Sequence, residues 1–294
     1  MAYQQKINFY KIRSFSQKLN ATIEFIRQNF KPLGRAIIYI VGPLAILNGL
    51  LLAQYFNFIF GNLNGENIDS FRNPLAFVFN PSYIGFLILS VVSGLLSYSV
   101  VINYMRLYHE KYPEEITVTE VLNVAWKDIL PLFGLVVIGG ILVAAGIFAL
   151  IIPAIYLSIV LSLSVPALFF ERNGVFEAIG RSFKLIKGKW WSTFGLVFAA
   201  YLLAQAVAMI FIIPFYVFYF LGIFTMVEEM GVTADVSSWW FQAGMTLSVM
   251  FMILGSFLTQ SIPIIAVNFQ YFNLVERQES VGLMGEIEQL DSEN

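Results

Sequence analysis

Apolar positions run along this chain in long blocks separated by short charged stretches. From Ser192 to Met226 there is no Asp, Glu, Lys, Arg or His, and Ile129–Phe170 is uncharged over 42 residues. A helix rises about 1.5 Å per residue and a bilayer's hydrocarbon core is about 30 Å thick. The first block therefore exceeds one crossing, and the second is long enough for two with a turn near Ile152 and Pro153. The pattern predicts six membrane helices, over about 36–60, 82–107, 129–150, 152–170, 192–213 and 241–272. A charge at a span centre costs about 2.5–3.5 kcal/mol, and these spans avoid it. The predicted fold is an all-α, polytopic membrane helical bundle. Residues 1–35 form a basic arm carrying a first interfacial helix, 36–275 the membrane domain and 276–294 an acidic tail.

The fifth block allows two readings. Pro214 interrupts it, and proline removes one ladder hydrogen bond and crowds the preceding turn. Either the span closes near Ile213 and Phe215–Phe224 forms a re-entrant or outer-leaflet segment, or one long, tilted, kinked helix continues through the proline.

Basic residues set the threading. The N-terminal arm contributes seven, the second connection Arg106, Lys111 and Lys127, the fourth Arg172, Arg181, Lys184, Lys187 and Lys189, and the tail Arg277. All of these fall on one side of the predicted membrane, and the other side receives Arg72 alone. By the positive-inside rule both termini face the cytoplasm, while the Asn62–Tyr83 and Val227–Trp240 connections face out. The localisation expected is a bacterial cytoplasmic (inner) membrane. An early apolar segment with a small-residue cleavage site is missing, so the N-terminus is expected to be retained.

A motif appears three times: Glu, Ile or Leu two residues on, an aromatic at six and Lys at seven. It reads Glu24, Ile26, Phe30, Lys31; then Glu120, Leu122, Trp126, Lys127; then Glu177, Ile179, Phe183, Lys184. Each copy precedes an odd-numbered span on the basic side, and each is amphipathic at helical spacing. The apolar stripes are Leu19, Ile23, Ile26 and Phe30; Val118, Leu122, Trp126 and Ile129; and Val175, Ile179, Phe183, Ile186 and Trp190. Helices so divided lie in the membrane interface. The layout is then three units, each an interfacial helix followed by a two-span hairpin. The alternative is that any amphipathic helix feeding a span would share these common residue types.

Two stretches carry a resemblance. Pro166-Ala-Leu-Phe-Phe-Glu171-Arg-Asn-Gly174-Val-Phe-Glu-Ala178-Ile-Gly-Arg181-Ser182, continuing to Gly188 and Trp190-Trp191, is one. The tail Tyr271-Phe-Asn-Leu-Val-Glu276-Arg277-Gln-Glu279 is the other. Together they resemble the membrane-domain family of glycerophosphoryl diester phosphodiesterases and related stand-alone bacterial membrane proteins. Where that family often has an Asp-Leu-Arg core, Asn273-Leu274-Val275 stands here. The resemblance implies a six-span membrane fold. It does not bring the phosphodiesterase, which belongs to a separate soluble barrel with His and carboxylates around a metal.

Composition narrows the chemistry. The chain has 294 residues, is 58% hydrophobic, 16% aromatic and 12% charged, and carries a net charge of -2. Soluble proteins carry about 25% charge, and no overall basicity points to nucleic acid. With no cysteine, disulfides and thiolate chemistry are excluded. His109 beside Glu110, Glu114 and Glu115 reads as a solvated connection rather than a metal or acid–base cluster, and no nucleophile elbow, phosphate loop or zinc motif occurs. No catalytic, cofactor-binding or metal residue is therefore assigned, and the chain reads as a non-enzyme. Asn48, Gln54, Asn103, Gln205, Gln260 and Asn268, with breaks at Pro43, Pro166, Pro214 and Pro263, leave a carrier or channel as the alternative. Otherwise they hydrogen-bond between helices. The basic cluster Arg181, Lys184, Lys187 and Lys189 beside Trp190 and Trp191 is a candidate site for anionic lipid headgroups. The partners expected are the bilayer, its anionic lipids and a membrane protein supported by this chain.

Overall fold

The computed structural model describes residues 6–63, 75–149, 151–224, 238–284 and 287. Arg72, most of the two connections read as facing out, and Glu286, Glu288, Asp291 and Glu293 of the tail lie outside those residues. Among the described residues every regular element is helical. In chain order they are α1 (Phe15–Ile40), α2 (Gly42–Leu63), α3 (Leu75–Val78), α4 (Pro81–Glu110), α5 (Val118–Lys127) and α6 (Ile129–Ala149). Then follow α7 (Ile151–Ser162), α8 (Ser164–Phe170), α9 (Val175–Leu185), α10 (Trp190–Phe224) and α11 (Trp239–Glu279). Six stretches are long and apolar enough to cross a membrane: Gly42–Phe60, Pro81–Glu110, Ile129–Phe148, Ile151–Phe170, Trp190–Phe224 and Trp239–Glu279.

Local chemistry fixes the helix ends. Ser14 and Gln17 bond reciprocally before α1, the Ser14 N–H donating to Gln17 Oε1 (2.8 Å) and the Gln17 N–H to Ser14 Oγ (3.4 Å). Asn80 Oδ1 accepts from the Ser82 and Tyr83 N–H groups, and Pro81 takes the first position of α4, where a missing N–H costs nothing. Thr117 caps α5 by accepting the Glu120 N–H at 3.2 Å.

Two boundaries differ from the sequence reading. α1 passes through Pro32 without ending and stops only at Ile40, so the basic arm and the first span are not separate elements at residue 35. α10 is one helix of 35 residues with Pro214 inside it. The helix does not end at Ile213, and Phe215–Phe224 belongs to it. Proline forfeits a single ladder bond, whereas ending the helix among apolar side chains would strip several backbone groups of partners at a few kcal/mol each. α11 likewise continues to Glu279, through Pro263.

The helices fall into two compact units, Met1–Ala36 with Tyr98–Ala204 and Gln260–Asn294, and Ile37–Ser97 with Gln205–Thr259. The first is organised around Phe9, which is buried and meets the rings of Phe25 (6.1 Å), Tyr108 (5.7 Å), Phe269 (5.6 Å) and Phe272 (5.0 Å). Such pairs add about 0.5–1.5 kcal/mol each beyond area burial, so the segment before α1 is docked. Arg13 and Lys18 are buried with it. The Arg13 N–H donates to Asn273 Oδ1 (2.7 Å), its Nη1 donates to the Phe9 carbonyl (3.0 Å), and its guanidinium lies 5.2 Å from the Phe269 ring. Tyr104 donates to Asn29 Oδ1 at 2.8 Å, tying α1 to α4.

The second unit is packed through glycine notches. A Cβ on Gly49 would fall 2.8 Å from the Met250 backbone, and one on Gly255 would overlap the base of Phe211. Gly244 receives the Phe218 ring, and Gly222 those of Phe60 and Phe241. Between apolar helices that gain nothing by leaving lipid, close approach of this kind supplies the attraction. Asn48 adds a polar pin, donating to Ser93 Oγ (2.9 Å) and accepting from Ser90 (3.3 Å).

Candidate lipid-facing interface

The three motif copies fold onto α1, α5 and α9, and burial repeats with them. The residue after each Glu (Phe25, Val121, Ala178) is fully buried, as is the residue five after it (Asn29, Ala125, Ser182). The aromatic at six stays open, Phe30 at 71%, Trp126 at 67% and Phe183 at 39% exposure, and the lysine at seven is exposed in every copy. Each helix thus turns one face to the protein and an aromatic–lysine edge outward. The motif glutamates are used locally. Glu24 pairs with Arg27 (3.0 Å), Glu120 with Lys111 (2.6 Å), and Glu177 accepts the Gly174 N–H (3.0 Å) at the head of α9. Pairing with Glu120 raises the half-buried Lys111 ammonium above the usual lysine range.

The stripes read from the sequence are only partly outward. Ile23, Leu122 and Trp126 are exposed, but Ile186 is buried, and the protein-facing side of α9 is Ala178, Ser182 and Leu185. α9 runs back along the chain it follows: Arg181 meets Glu171, and Trp190 Nε1 donates to the Tyr156 carbonyl at 3.3 Å.

The basic candidates divide into two groups. Arg181 is engaged, its Nε 2.8 Å from Glu171 Oε1 and its Nη1 2.6 Å from Glu279 Oε1, and these hydrogen bonds hold the guanidinium firmly charged. Tyr271 donates to the same Glu171, and Gln278 Nε2 donates to the Leu185 carbonyl (3.0 Å). Residues 166–191 and 271–279 therefore meet, and Arg181 is held at their contact by Glu171 and Glu279. Lys184, Lys187 and Lys189 are exposed and make no ion pair among the described residues. Next to them Trp190 stacks on Tyr156 (5.8 Å) and Phe194 (5.3 Å), while Trp191 is open. These rings and Ile152 and Ile155 line an apolar cleft of about 540 Å³. A second groove, of about 700 Å³, carries Arg27, Lys31 and Arg35 with Phe30 and Glu114. Cation beside aromatic beside apolar wall is the surface that a lipid headgroup and upper acyl chain satisfy together.

The burial of Lys18 and Arg13 escaped the sequence reading, which counted them only among the basic residues of the N-terminal arm. Lys18 donates to Gln270 Oε1 (2.5 Å) and Ser192 Oγ (3.3 Å), and Gln270 in turn donates to Thr193. Burial, with Arg277 and Lys189 nearby, lowers its pKa to about 8. The only sign in the sequence was helical register: Lys18, Thr22, Phe25 and Asn29 share one face of α1.

The polar span residues are scattered. Gln54 accepts from Ser82 (3.2 Å), while Gln205 and Gln260 are exposed. Asn103 and Asn268 are buried, and each amide donates to a carbonyl of its own helix, leaving both Oδ1 atoms without a partner among the described residues. His109 packs on the rings of Phe9 (5.7 Å) and Tyr10 (6.0 Å), and among the described residues no group of three or more His, Asp or Glu is placed to hold a metal. Compared with known proteins, the chain matches no protein-family model, no curated protein and no solved structure.

Proposed function

We propose that the chain is a non-enzymatic protein of a bacterial cytoplasmic membrane that organises or senses the inner leaflet and supports a membrane partner. The observation carrying this reading is the face shared by α1, α5 and α9, with two fully buried positions, an open aromatic and an open lysine in each copy. Aromatic rings and lysines flanking spans settle at the headgroup layer, so three such edges would register the composition of one leaflet. The resemblance to the membrane-domain family agrees with a membrane module acting without its own catalytic centre. The test replaces Phe30, Trp126 and Phe183 together by Ser in the full chain. All three are open to solvent, so the fold should survive. Enrichment of anionic lipid around the purified protein and recovery of co-purifying proteins should both fall. Wild-type values for both would refute the reading.

A carrier for a small or lipidic solute is the second reading, favoured by the unpaired Oδ1 atoms of Asn103 and Asn268. It requires these two positions to be reached by water-soluble thiol reagents after substitution by Cys.

A further inference from the structure

At one end of the first unit, the last turn of α4, the α5–α6 junction and the turn after α8 enclose a cleft of about 340 Å³. Arg106 and Arg172 line it beside Asp128 and Asn173, with Pro131 and Phe169 on its apolar side. Arg106 Nη1 is 3.4 Å from Asp128 Oδ2, a loose contact that engages one edge of its guanidinium. Arg172 makes no ion pair among the described residues. Its backbone sits in the left-handed region at φ 54, where a side chain is unfavourable and glycine is the usual occupant. An arginine held there points to a task for the side chain. Two guanidiniums against one carboxylate leave the cleft cationic, and planar forks grip phosphate oxygens in pairs. The volume is within the range of ligand pockets.

We propose that this cleft binds one phosphate group, carried by the headgroup of an anionic glycerophospholipid. The lipid source is favoured over free phosphate by what adjoins the cleft. Beside Pro131, Leu130, Phe133 and Val137 form an exposed apolar stripe along α6, itself long and apolar enough to cross the membrane. A headgroup in the cleft would lay its acyl chain on that stripe. The proposal rests on the reading of a lipid-registering protein but uses none of its three aromatic residues.

The experiment is native mass spectrometry of the full chain in detergent, mixed with phosphatidylglycerol, phosphatidylcholine or inorganic phosphate. Phosphatidylglycerol should be retained over phosphatidylcholine and should survive millimolar inorganic phosphate. Arg172→Gly keeps the backbone conformation while removing the fork, so its unfolding temperature should not fall, whereas lipid retention should drop about tenfold. Arg106→Gln should also weaken retention, and Arg172→Lys should restore it only in part, because an ammonium is a point charge. Wild-type retention in both Arg172→Gly and Arg106→Gln would overturn the site. Displacement of the lipid by inorganic phosphate, with no preference for phosphatidylglycerol, would overturn the lipid source. Loss in Arg172→Gly alone, with the triple aromatic variant intact, would separate this cleft from the broader function.

Discussion

Lys18 shows how much one buried charge can impose on a membrane protein. Among the described residues its ammonium reaches neutral oxygens, on Gln270 and Ser192, and no carboxylate there offsets the loss of water. In the folded chain the proton leaves near pH 8, against 10.5 for an ordinary lysine. Between those values the unfolded chain binds the extra proton, so stability must rise as pH increases from about 8 to 10.5 and stay flat below 8. The gain is on the order of 3 kcal/mol across the window. Thermal unfolding of the full chain in detergent, followed from pH 7 to 10.5, should show that rise in wild type, measured against Lys18→Met, which should lack it. Equal slopes in the two would mean that Lys18 is hydrated or ion-paired. Arg181 is the opposite case, a charge that is matched. Its two carboxylates sit on the α8–α9 turn and the end of α11, joining stretches about a hundred residues apart. The first stretch carries both Arg181 and Glu171, and Glu279 of the second adds the further carboxylate that ties the two together.

At the scale of elements, hydrophobicity located the helices but not their inner faces. Lipid tails are as apolar as Leu, so the pattern that marks a buried stripe in water marks only an apolar stripe here. The residues that α1 and α9 turn inward include Lys18, Thr22, Asn29 and Ser182, and the stripe visible in the sequence includes the open Phe30 and Phe183. Length and charge spacing were legible because both are set by the bilayer itself. The passage of α10 through Pro214 was left open, because a proline's effect depends on whether its surroundings can replace the lost bond. Small residues were equally ambiguous until their neighbours were known. Gly140 and Ala144 have helix-packing spacing, yet a Cβ on Gly140 meets nothing within 4 Å, whereas one on Gly255 would strike Phe211. Gly255→Ala and Gly49→Ala should each destabilise by about 1–3 kcal/mol, the usual cost of overpacking. Gly140→Ala should be neutral or stabilise by up to about 1 kcal/mol through helix propensity. Unfolding in detergent separates the two classes, and a destabilised Gly140→Ala would show that this face of α6 is covered by another chain.

For the molecule as a whole, threading depends on how many basic residues remain free to act on the membrane. Arg13 and Lys18 are buried within the protein, so they contribute less to the positive-inside signal than their position in the basic arm implied. Removing them still leaves fourteen basic residues on one predicted side against Arg72 on the other. Six helices among the described residues are able to cross, and six passages would return the chain to the side where it began. The chain has no cysteine, so single substitutions Ser16→Cys, Arg72→Cys and Ser292→Cys report one position each without background. In intact spheroplasts a membrane-impermeant maleimide should label only Arg72→Cys. Ser16→Cys and Ser292→Cys should react only after permeabilisation. Arg72→Cys lowers the outer basic count to zero, so it reinforces the threading it reports. Labelling of Ser16→Cys and Ser292→Cys on opposite faces would require an odd number of crossings, and one of the six apolar helices would then have to lie outside the bilayer core.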